Sequence, residues 1–298
     1  MYDRIMVPLD GSRFAEAALP LALTLSRQTG AGVHLVTVQE PIPSFAYEEW
    51  ERATTGWTRE YLESVRERAE EHAGGAVTTS MLAGHVVEML EEEADRERVD
   101  LVVMATHGRG ALSRVWLGSV ADAFVRHTHR PVLLSRPEDG EALPLDSDAG
   151  FSKILIPLDG SELAEAVLDR AVEVGRRFGA EYELLRVVPY PIEIASPYLP
   201  QTVQMNQELV EQARRTATEY LESLAARLRE DGLHVDFGVD VDAQPGHGIL
   251  RYAASSECDL IAMSTHGRRG ISRALLGSAT DKVLRGARVP LLLYRPGD

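Results

Sequence analysis

The 298-residue sequence has little cysteine, no excess of positive charge and no long apolar segment. Its single cysteine, Cys258, excludes an internal disulfide bond and favours a reducing compartment. Arginine and lysine number 31 against 46 aspartates and glutamates, and the net charge of −15 argues against a nucleic-acid-binding surface. No stretch approaches the roughly 20 apolar residues that span a bilayer. The first residues lead directly into a strand pattern, so we expect no signal peptide, no membrane segment and a cytoplasmic protein.

Motifs of several enzyme classes are also missing. Neither lysine, Lys153 or Lys282, follows a glycine, so there is no P-loop of the G-x-x-x-x-G-K-[ST] type. There is no G-x-S-x-G nucleophile elbow and no H-E-x-x-H zinc motif. The run Gly108-Arg109-Gly110 starts like a dinucleotide fingerprint, but Ser113 stands where the third glycine belongs. We therefore predict no catalytic residue and no metal ligand, and a non-enzymatic role is favoured.

The sequence does contain an internal repeat. The stretch Ile5–Ser12 returns as Ile154–Ser161, and Thr106–Arg109 returns as Thr265–Arg268 with the same glycine spacing downstream. These copies predict two homologous domains, residues 1–138 and 151–298. The acidic segment 139–150 between them contains glycine and proline but no hydrophobic period, so we interpret it as a linker.

Predicted strands alternate with predicted helices in each half. In the first half, strands are predicted near residues 4–8, 33–38, 76–81, 100–105 and 132–135, and helices over 14–29, 47–72, 86–98 and 118–127. This alternation predicts an α/β fold of two tandem doubly wound parallel five-stranded sheets, similar to the Rossmann and flavodoxin folds. Such sheets bind ligands beyond the carboxyl ends of their strands, where the strand order reverses. The proline-rich segment 189–200 is interpreted as a surface loop, with a lid or a partner contact as alternatives.

Each half has a glycine-bearing loop that leaves the fourth predicted strand and enters a helix. It runs from Gly108 to Gly118 in the first half and from Gly267 to Gly277 in the second. A helix N-terminus carries unpaired N–H groups with partial positive charge, so this geometry can hold a phosphate. The alternative is a turn glycine followed by an ordinary helix N-cap, and the residues alone do not separate the two.

Other polar residues near these loops have two interpretations each. Asp10 and Asp159 either cap the following helix or accept hydrogen bonds from a ligand base or sugar hydroxyl. His107 and His266 are conceivable catalytic bases, but no local serine, cysteine or carboxylate completes a triad. The loop arginines either neutralise phosphates or are solvated charges: Arg109, Arg114, Arg268 and Arg273.

These residues resemble the universal stress protein family, as a tandem protein with two such domains. The nucleotide signature of that family is G-x-x-G, nine residues, then G-[ST]. Gly108 and Gly118 are separated by nine residues and followed by Ser119, and the second half repeats the arrangement. The resemblance covers nearly the whole chain apart from the linker. In both halves the first glycine of the signature is replaced, by Ala105 and by Ser264.

The resemblance implies binding of ATP, with Mg²⁺ as a candidate companion, at equivalent residues of the two halves. In the first half these are Pro8, Leu9, Asp10, Val38, Met104, Ala105, His107, Gly108, Arg109, Gly118, Ser119 and Val120. In the second half they are Pro157, Leu158, Asp159, Val187, Met263, Ser264, His266, Gly267, Arg268, Gly277, Ser278, Ala279 and Thr280. Thr280 stands where the first half has Ala121, so the second site gains a hydroxyl and is favoured as the tighter one.

The resemblance also implies that the two domains pair through their fifth strands as an intramolecular pseudo-dimer, which would cover unpaired sheet edges. A homodimer of tandem chains and an unidentified protein partner are further candidates. Three functions stay open at this point. They are an ATP-binding regulator or sensor of the stress response, a protein-interaction module with degenerate pockets, and a slow ATP hydrolase that uses His107 or His266.

Overall fold

A computed structural model describes residues 2–40, 47–106, 118–136, 143–190, 200–265 and 276–297. The chain divides into two compact units, Met1–Gly150 and Phe151–Asp298. The limits assigned to the linker and the pairing of the two units stay predictions. In the part of the chain that is described, every helix is too short or too polar to cross a membrane.

Unit 1 is built from alternating strands and helices along the chain. Its strands are β1 (Arg4–Pro8), β2 (Gly32–Gln39), β3 (Val77–Ala83), β4 (Leu101–Ala105) and β5 (Val132–Ser135). Its helices are α1 (Arg13–Glu16), α2 (Leu19–Thr29), α3 (Tyr47–Glu70), α4 (Val86–Arg96) and α5 (Ser119–His127).

Unit 2 repeats this order of elements. Its strands are β6 (Lys153–Pro157), β7 (Glu181–Pro189), β8 (Val235–Asp242), β9 (Leu260–Ser264) and β10 (Leu291–Tyr294). Its helices are α6 (Glu162–Glu165), α7 (Leu168–Gly175), α8 (Pro200–Glu230), α9 (Pro245–Ser255) and α10 (Ser278–Gly286).

Each unit contains one parallel five-stranded sheet. In unit 1 the strand order is β3-β2-β1-β4-β5. In unit 2 the corresponding order is β8-β7-β6-β9-β10. The chain first winds from β1 towards β3 and then returns to the other side of β1, so the strand order reverses between β1 and β4. The predicted doubly wound α/β fold is confirmed, and this reversal point marks the crevice in which such sheets bind ligands.

The central strands form the core of each unit. Ile5, Met6 and Val7 of β1 are fully buried, as are Ile154, Leu155 and Ile156 of β6. Strands that are apolar on both faces are typical of parallel sheets covered by helices on each side. The polar residues that follow these buried strands lie at the carboxyl edge of each sheet.

The predicted continuous helix over residues 14–29 is wrong, because the structure has α1 and α2 with a break between them. Ala17 and Ala18 donate to carbonyls three residues earlier, at 3.2 Å each, which tightens the turn. Pro20 in the first turn of α2 has no N–H, so it cannot donate to the Glu16 carbonyl. Unit 2 has the same break with Asp169 in the place of Pro20, so the proline is not the sole cause.

The described part of the predicted linker lies against α2 of unit 1. The Thr24 hydroxyl donates to the Ser147 carbonyl at 3.0 Å and accepts from the Ala149 N–H at 3.2 Å. The Arg27 guanidinium donates to the same Ser147 carbonyl at 2.7 Å. Residues 147–149 therefore pair their backbone with side chains of unit 1.

Candidate functional site

In each unit the predicted site residues gather at the carboxyl edge of the sheet, beside the reversal point. β1 pairs with β4, and both strands end there, followed by Asp10 and Thr106. In unit 2, β6 pairs with β9, and Asp159 and Thr265 follow. The aspartate and the start of the glycine loop therefore come from neighbouring strands, as the predicted fold requires.

The turn after β1 is shaped by three consecutive residues. Asp10 Oδ1 accepts hydrogen bonds from the Ser12 N–H at 2.9 Å and the Ser12 hydroxyl at 2.6 Å. Ser12 is the N-cap of α1, because its Oγ accepts from the Ala15 N–H at 3.2 Å. Gly11 has a φ of 81°, a left-handed conformation that favours glycine.

The same turn recurs at Asp159, Gly160 and Ser161 in unit 2. Asp159 Oδ1 accepts hydrogen bonds from the Ser161 N–H at 3.0 Å and from the Ser161 hydroxyl at 2.5 Å. Gly160 has a φ of 75°. In both units one carboxylate oxygen thus orients the capping serine, while the aspartate side chain stays half-exposed at the edge of the crevice.

A backbone hydrogen bond closes the base of each glycine loop. The Gly118 N–H donates to the Thr106 carbonyl at 2.6 Å, and the Gly277 N–H donates to the Thr265 carbonyl at 3.0 Å. Each loop therefore leaves and rejoins the sheet edge at one place. The predicted site residues within the loops lie outside the described residues: His107, Gly108, Arg109, His266, Gly267 and Arg268.

Both loops end at a helix whose N-cap is a glycine. Gly118 precedes α5 with φ −59° and ψ 143°, and Gly277 precedes α10 with φ −58° and ψ 145°. Neither helix start has a side-chain cap among the described residues. Ser119 and Ser278 are exposed at the first helical position. The first N–H groups of a helix have no intrahelical acceptor, so both starts present donors with partial positive charge to the crevice.

The described surroundings of Gly277 do not require a glycine there. Its φ and ψ lie in a region that any residue adopts. A Cβ there would lie 3.6 Å from the Thr265 carbonyl oxygen and 3.8 Å from Thr280 Oγ1, which is ordinary van der Waals contact. Serine, aspartate and asparagine cap helices better than glycine does. A glycine that neither the backbone nor the packing explains is consistent with close approach of a ligand to the main chain.

The two positions that depart from the family signature lie at the ends of β4 and β9. Ser264 is 7% exposed, and its hydroxyl donates to the Ala164 carbonyl of α6 at 3.4 Å. Its counterpart Ala105 is half-buried at the end of β4. Thr280 is also buried, and its hydroxyl donates to the Ser264 carbonyl at 3.2 Å. The extra hydroxyl of unit 2 is thus engaged within the unit, and the preference for a tighter second site stays a prediction.

The apolar site residues are buried or half-buried. Leu9, Met104, Leu158 and Met263 are at most 5% exposed. The remaining apolar and small site residues are half-buried or buried: Pro8, Val38, Val120, Pro157, Val187 and Ala279. Val187 faces α9, because a Cβ added at Gly248 of that helix would lie only 2.8 Å from Val187 Cγ1. The end of β7 therefore presents Val187 on the sheet face that α9 covers.

Sequence reasoning missed a cluster on the opposite face of the sheet, just behind the aspartate. In unit 1 the Arg68 guanidinium of α3 donates to Glu16 of α1 at 2.8 Å. Burial raises the pKa of the Tyr61 hydroxyl, and the negative charge of Glu16 raises it further. The signal was present in the sequence, because the run Glu-Tyr-Leu-Glu-Ser occurs at residues 60–64 and again at 219–223.

Unit 2 repeats the cluster with different contacts. The Tyr220 hydroxyl donates to Glu165 Oε1 at 2.8 Å, while Arg227 lies 3.6 Å from the same carboxylate. Burial and the Glu165 carboxylate raise the pKa of Tyr220, and the nearby charge of Arg186 opposes this rise. In both units the cluster ties the short helix after the aspartate turn to the long helix α3 or α8.

A second buried polar network distinguishes the two units. In unit 1, His34 is 2% exposed, and its two ring nitrogens lie 2.7 Å from Thr78 Oγ1 and from Glu93 Oε1. Burial alone would raise the pKa of Glu93, but hydrogen bonds from Ser80 and His34 and the charge of Arg96 lower it overall.

Potential metal ligands lie close together in this network. Atoms of His34, Glu93 and Glu97 fall within 4.8 Å of one another. The guanidinium of Arg96 pairs with Glu93 at 2.5 Å and that of Arg4 with Glu97 at 2.6 Å, so arginines neutralise the carboxylates. In unit 2 the position of His34 is Glu183, which pairs with Lys153 at 2.5 Å and accepts from the Tyr252 hydroxyl.

Comparison with known proteins decides the family. A sequence model of the universal stress protein family matches residues 1–136 and again residues 150–295. The chain belongs to the universal stress protein family. It carries two universal stress protein domains in tandem, as the internal repeat predicts.

Individual relatives agree with this assignment. A universal stress protein from Mycolicibacterium smegmatis is 26% identical over 310 residues, which cover 98% of this chain and 97% of that protein. One from Synechocystis sp. is 28% identical over 154 residues, which cover 49% of this chain and 99% of that protein. The crystal structure of a universal stress protein from Archaeoglobus fulgidus covers 100% of both chains, with a TM-score of 0.76 at 17% identity. The structural likeness supports the universal stress protein fold over both units.

Proposed function

We propose that this universal stress protein binds adenine nucleotide, ATP in the first place, in the crevice between β1 and β4 and in its counterpart in unit 2. The observation that carries the proposal is the glycine at the N-cap of α5 and of α10. At Gly277 neither the dihedral angles nor the packing of the described residues requires glycine. A phosphate that approaches the N-terminal N–H groups of the helix does require the space that a side chain would fill.

The proposed roles follow the arrangement of the crevice. Asp10 or Asp159 accepts hydrogen bonds from the base or ribose, and Val38 or Val187 contacts the adenosine. The helix start at Gly118 or Gly277, with the serine that follows it, holds the phosphates. Mg²⁺ would accompany the phosphates, because their charge is larger than the helix N-terminus alone can neutralise.

The proposed activity is regulation rather than catalysis. The nucleotide would bind one conformational state of the protein more tightly than another and so shift the population towards it. The two states would present different surfaces to a protein partner. The Glu16–Tyr61–Arg68 cluster joins the aspartate turn to α3, so a displacement at the turn would reach the longest helix of unit 1. The partner itself is unidentified.

The first experiment is to denature freshly purified protein and analyse the released small molecules by chromatography and mass spectrometry. We expect about one or two adenine nucleotides per chain. Empty protein is then titrated with Mg-ATP, and a concentration of 100 times the Kd should stabilise the folded state by about 2.7 kcal/mol. Protein that is empty after purification and whose Tm does not respond to Mg-ATP would refute the proposal.

A protein-interaction module with degenerate pockets is the second candidate, favoured by Ala105 and Ser264 in place of the first signature glycine. The double variant Ala105→Gly, Ser264→Gly distinguishes the two functions. If these side chains prevent binding, the variant should gain a response to Mg-ATP that the natural chain lacks. If the natural chain already binds, the substitutions should change the Kd only modestly.

A further inference from the structure

Arg186 occupies a position in unit 2 that has no charged counterpart in unit 1. In β7, Tyr182 faces α7, because its hydroxyl donates to the Val172 carbonyl at 3.2 Å. Side chains alternate along a strand, so Arg186 lies on the same face as Tyr182. Its Nη1 donates to the carbonyl of Leu158, the residue before Asp159, at 3.1 Å. The guanidinium thus lies behind the aspartate turn, near Tyr220, where burial raises the pKa of the hydroxyl and the charge of Arg186 partly opposes that rise.

The counterpart of Arg186 is Thr37, because Arg4 pairs with Gly32 in unit 1 as Lys153 pairs with Glu181 in unit 2. Thr37 is 7% exposed. Its hydroxyl is fully buried and has no hydrogen-bond partner among the described residues. A buried hydroxyl without a partner loses its hydration and calls for an explanation.

The balance of charge around this position also differs between the units. Unit 2 sets the carboxylates of Asp159 and Glu165 against two guanidinium groups, those of Arg186 and Arg227. In unit 1 the carboxylates of Asp10 and Glu16 face the Tyr61 hydroxyl together with one guanidinium, that of Arg68. Among the described residues, unit 1 therefore has no counterpart of the Arg186 guanidinium on this face of the sheet.

The side chains beside Thr37 are uncharged and rich in oxygen. The Gln39 side chain donates from Nε2 to Thr58 Oγ1 at 2.9 Å on the same face of β2. In unit 2 the corresponding residues are Val188 and Ala217, both buried and apolar. In unit 2 the guanidinium of Arg186 therefore has apolar neighbours. In unit 1 the neighbours of Thr37 are polar, and no guanidinium replaces the threonine.

We propose that unit 1 binds a monovalent cation of the Na⁺ or K⁺ class between β2, α1 and α3, where unit 2 places the guanidinium of Arg186. The ligands would be the Thr37 and Tyr61 hydroxyls, the Glu16 carboxylate and the Leu9 carbonyl, which is the counterpart of the acceptor that Arg186 uses. Hydroxyl, carbonyl and carboxylate oxygens suit hard cations. One carboxylate among otherwise neutral ligands favours a monovalent ion over Ca²⁺ or Mg²⁺, which prefer several carboxylates.

The chain contains a specific reporter for this site. All three tryptophans lie in unit 1, at positions 50, 57 and 116, and unit 2 has none. Trp57 stacks on Tyr61, with ring centroids 5.6 Å apart and planes 10° from parallel. Tryptophan emission therefore follows unit 1, and the indole of Trp57 stacks directly on one of the proposed ligands.

The experiment measures thermal unfolding by tryptophan emission in nucleotide-free full-length protein, in choline chloride, NaCl and KCl at equal ionic strength. At ten times the Kd, the folding equilibrium constant of unit 1 should rise about elevenfold, a Tm shift of about 3 to 6 °C. The same Tm in all three salts would overturn the proposal and leave a water molecule as the occupant. A response to MgCl₂ alone would also overturn it.

Two matched substitutions locate the ion. Thr37→Val keeps the shape of the side chain, removes one ligand and should reduce the shift in NaCl or KCl at least threefold. Thr37→Arg supplies the charge that unit 2 already has, and its Tm should be the same in the three salts. A Thr37→Val variant that responds like the natural protein would refute the assignment, whether or not Thr37→Arg folds.

The reverse substitution tests the same idea in unit 2. Arg186→Thr removes the fixed cation, and Thr216→Trp places an indole at the exposed position that corresponds to Trp57. In a chain with both substitutions and with Trp50, Trp57 and Trp116 changed to Phe, emission reports unit 2 alone. We expect the Tm of the Arg186→Thr chain to rise in NaCl or KCl, and the Tm of the same reporter chain with Arg186 to stay constant. A Tm that is independent of the salt in both chains would count against the proposal.

Discussion

Replacement of Gly277 by alanine should separate ligand binding from stability. The new Cβ would make only ordinary contacts, at 3.6 Å and 3.8 Å, and the dihedral angles suit alanine. Loss of a glycine makes the unfolded chain less flexible and stabilises by about 0.4 to 1 kcal/mol. Alanine is a poorer N-cap than glycine by a similar amount. The two effects offset each other, so we expect the Tm of Gly277→Ala to stay within about 2 °C of the natural protein.

The effect on the nucleotide should be much larger than the effect on folding. At an ATP concentration of 100 times the natural Kd, binding stabilises the folded state by about 2.7 kcal/mol. If the methyl group keeps phosphate from the α10 N-terminus and raises the Kd 100-fold, the stabilisation falls to about 0.4 kcal/mol. Calorimetric titration should show one site fewer per chain for Gly277→Ala, and again for Gly118→Ala.

Gly175→Ala is the matched control for this experiment. A Cβ at Gly175 would clash with the Tyr182 hydroxyl and lie 2.7 Å from Ile154 Cδ1. We expect a loss of about 1 to 3 kcal/mol in unfolding free energy but an unchanged number of nucleotide sites. If Gly277→Ala and Gly118→Ala together bind ATP as the natural protein does, glycine at the N-cap is not a mark of phosphate binding, and the reasoning fails.

Three further predictions concern other parts of the chain. Glu93→Ala, which leaves Nε2 of the buried His34 without its partner while Nδ1 keeps Thr78, should cost about 3 kcal/mol in urea unfolding, and Glu93→Gln should cost less. The Gln244 N–H, with help from His247 and Arg251, lowers the pKa of Asp242 to about 2. The Asp242 carboxylate therefore contributes its full stabilisation above about pH 4, and this contribution declines as the pH falls towards 2. The Tm difference between the natural protein and Asp242→Asn should shrink over that interval. Burial raises the pKa of Cys258 to about 11, so iodoacetamide at pH 8 should alkylate this thiol only after denaturation, and rapid reaction of the native protein would contradict its burial.

The repeating fold and the place of the site were predictable from local patterns. Short apolar strands, a capping serine after Asp10 and a glycine before α5 are each encoded within a few residues. The break between α1 and α2 was not, because it depends on packing that recurs in unit 2 without the proline. Periodicity cannot show that Ala17 and Ala18 form a tightened turn.

Polar clusters were harder to predict than strands because they join residues far apart in the sequence. The Arg68–Glu16 pair spans 52 positions, and the His34–Glu93 pair spans 59. No spacing rule connects residues at such distances. Comparison of the two halves could have helped, because Tyr61 and Tyr220 lie in identical runs of five residues.

The hydrogen bond between Thr106 and Gly118, like that between Thr265 and Gly277, has a consequence for how such proteins diversify. A segment whose two ends are joined by a backbone hydrogen bond can change in length or composition without altering the strand before it or the helix after it. Selection can then try new loop sequences while the folding unit stays intact. A duplicated chain offers two such positions, so one copy can preserve an existing ligand while the other acquires a different one.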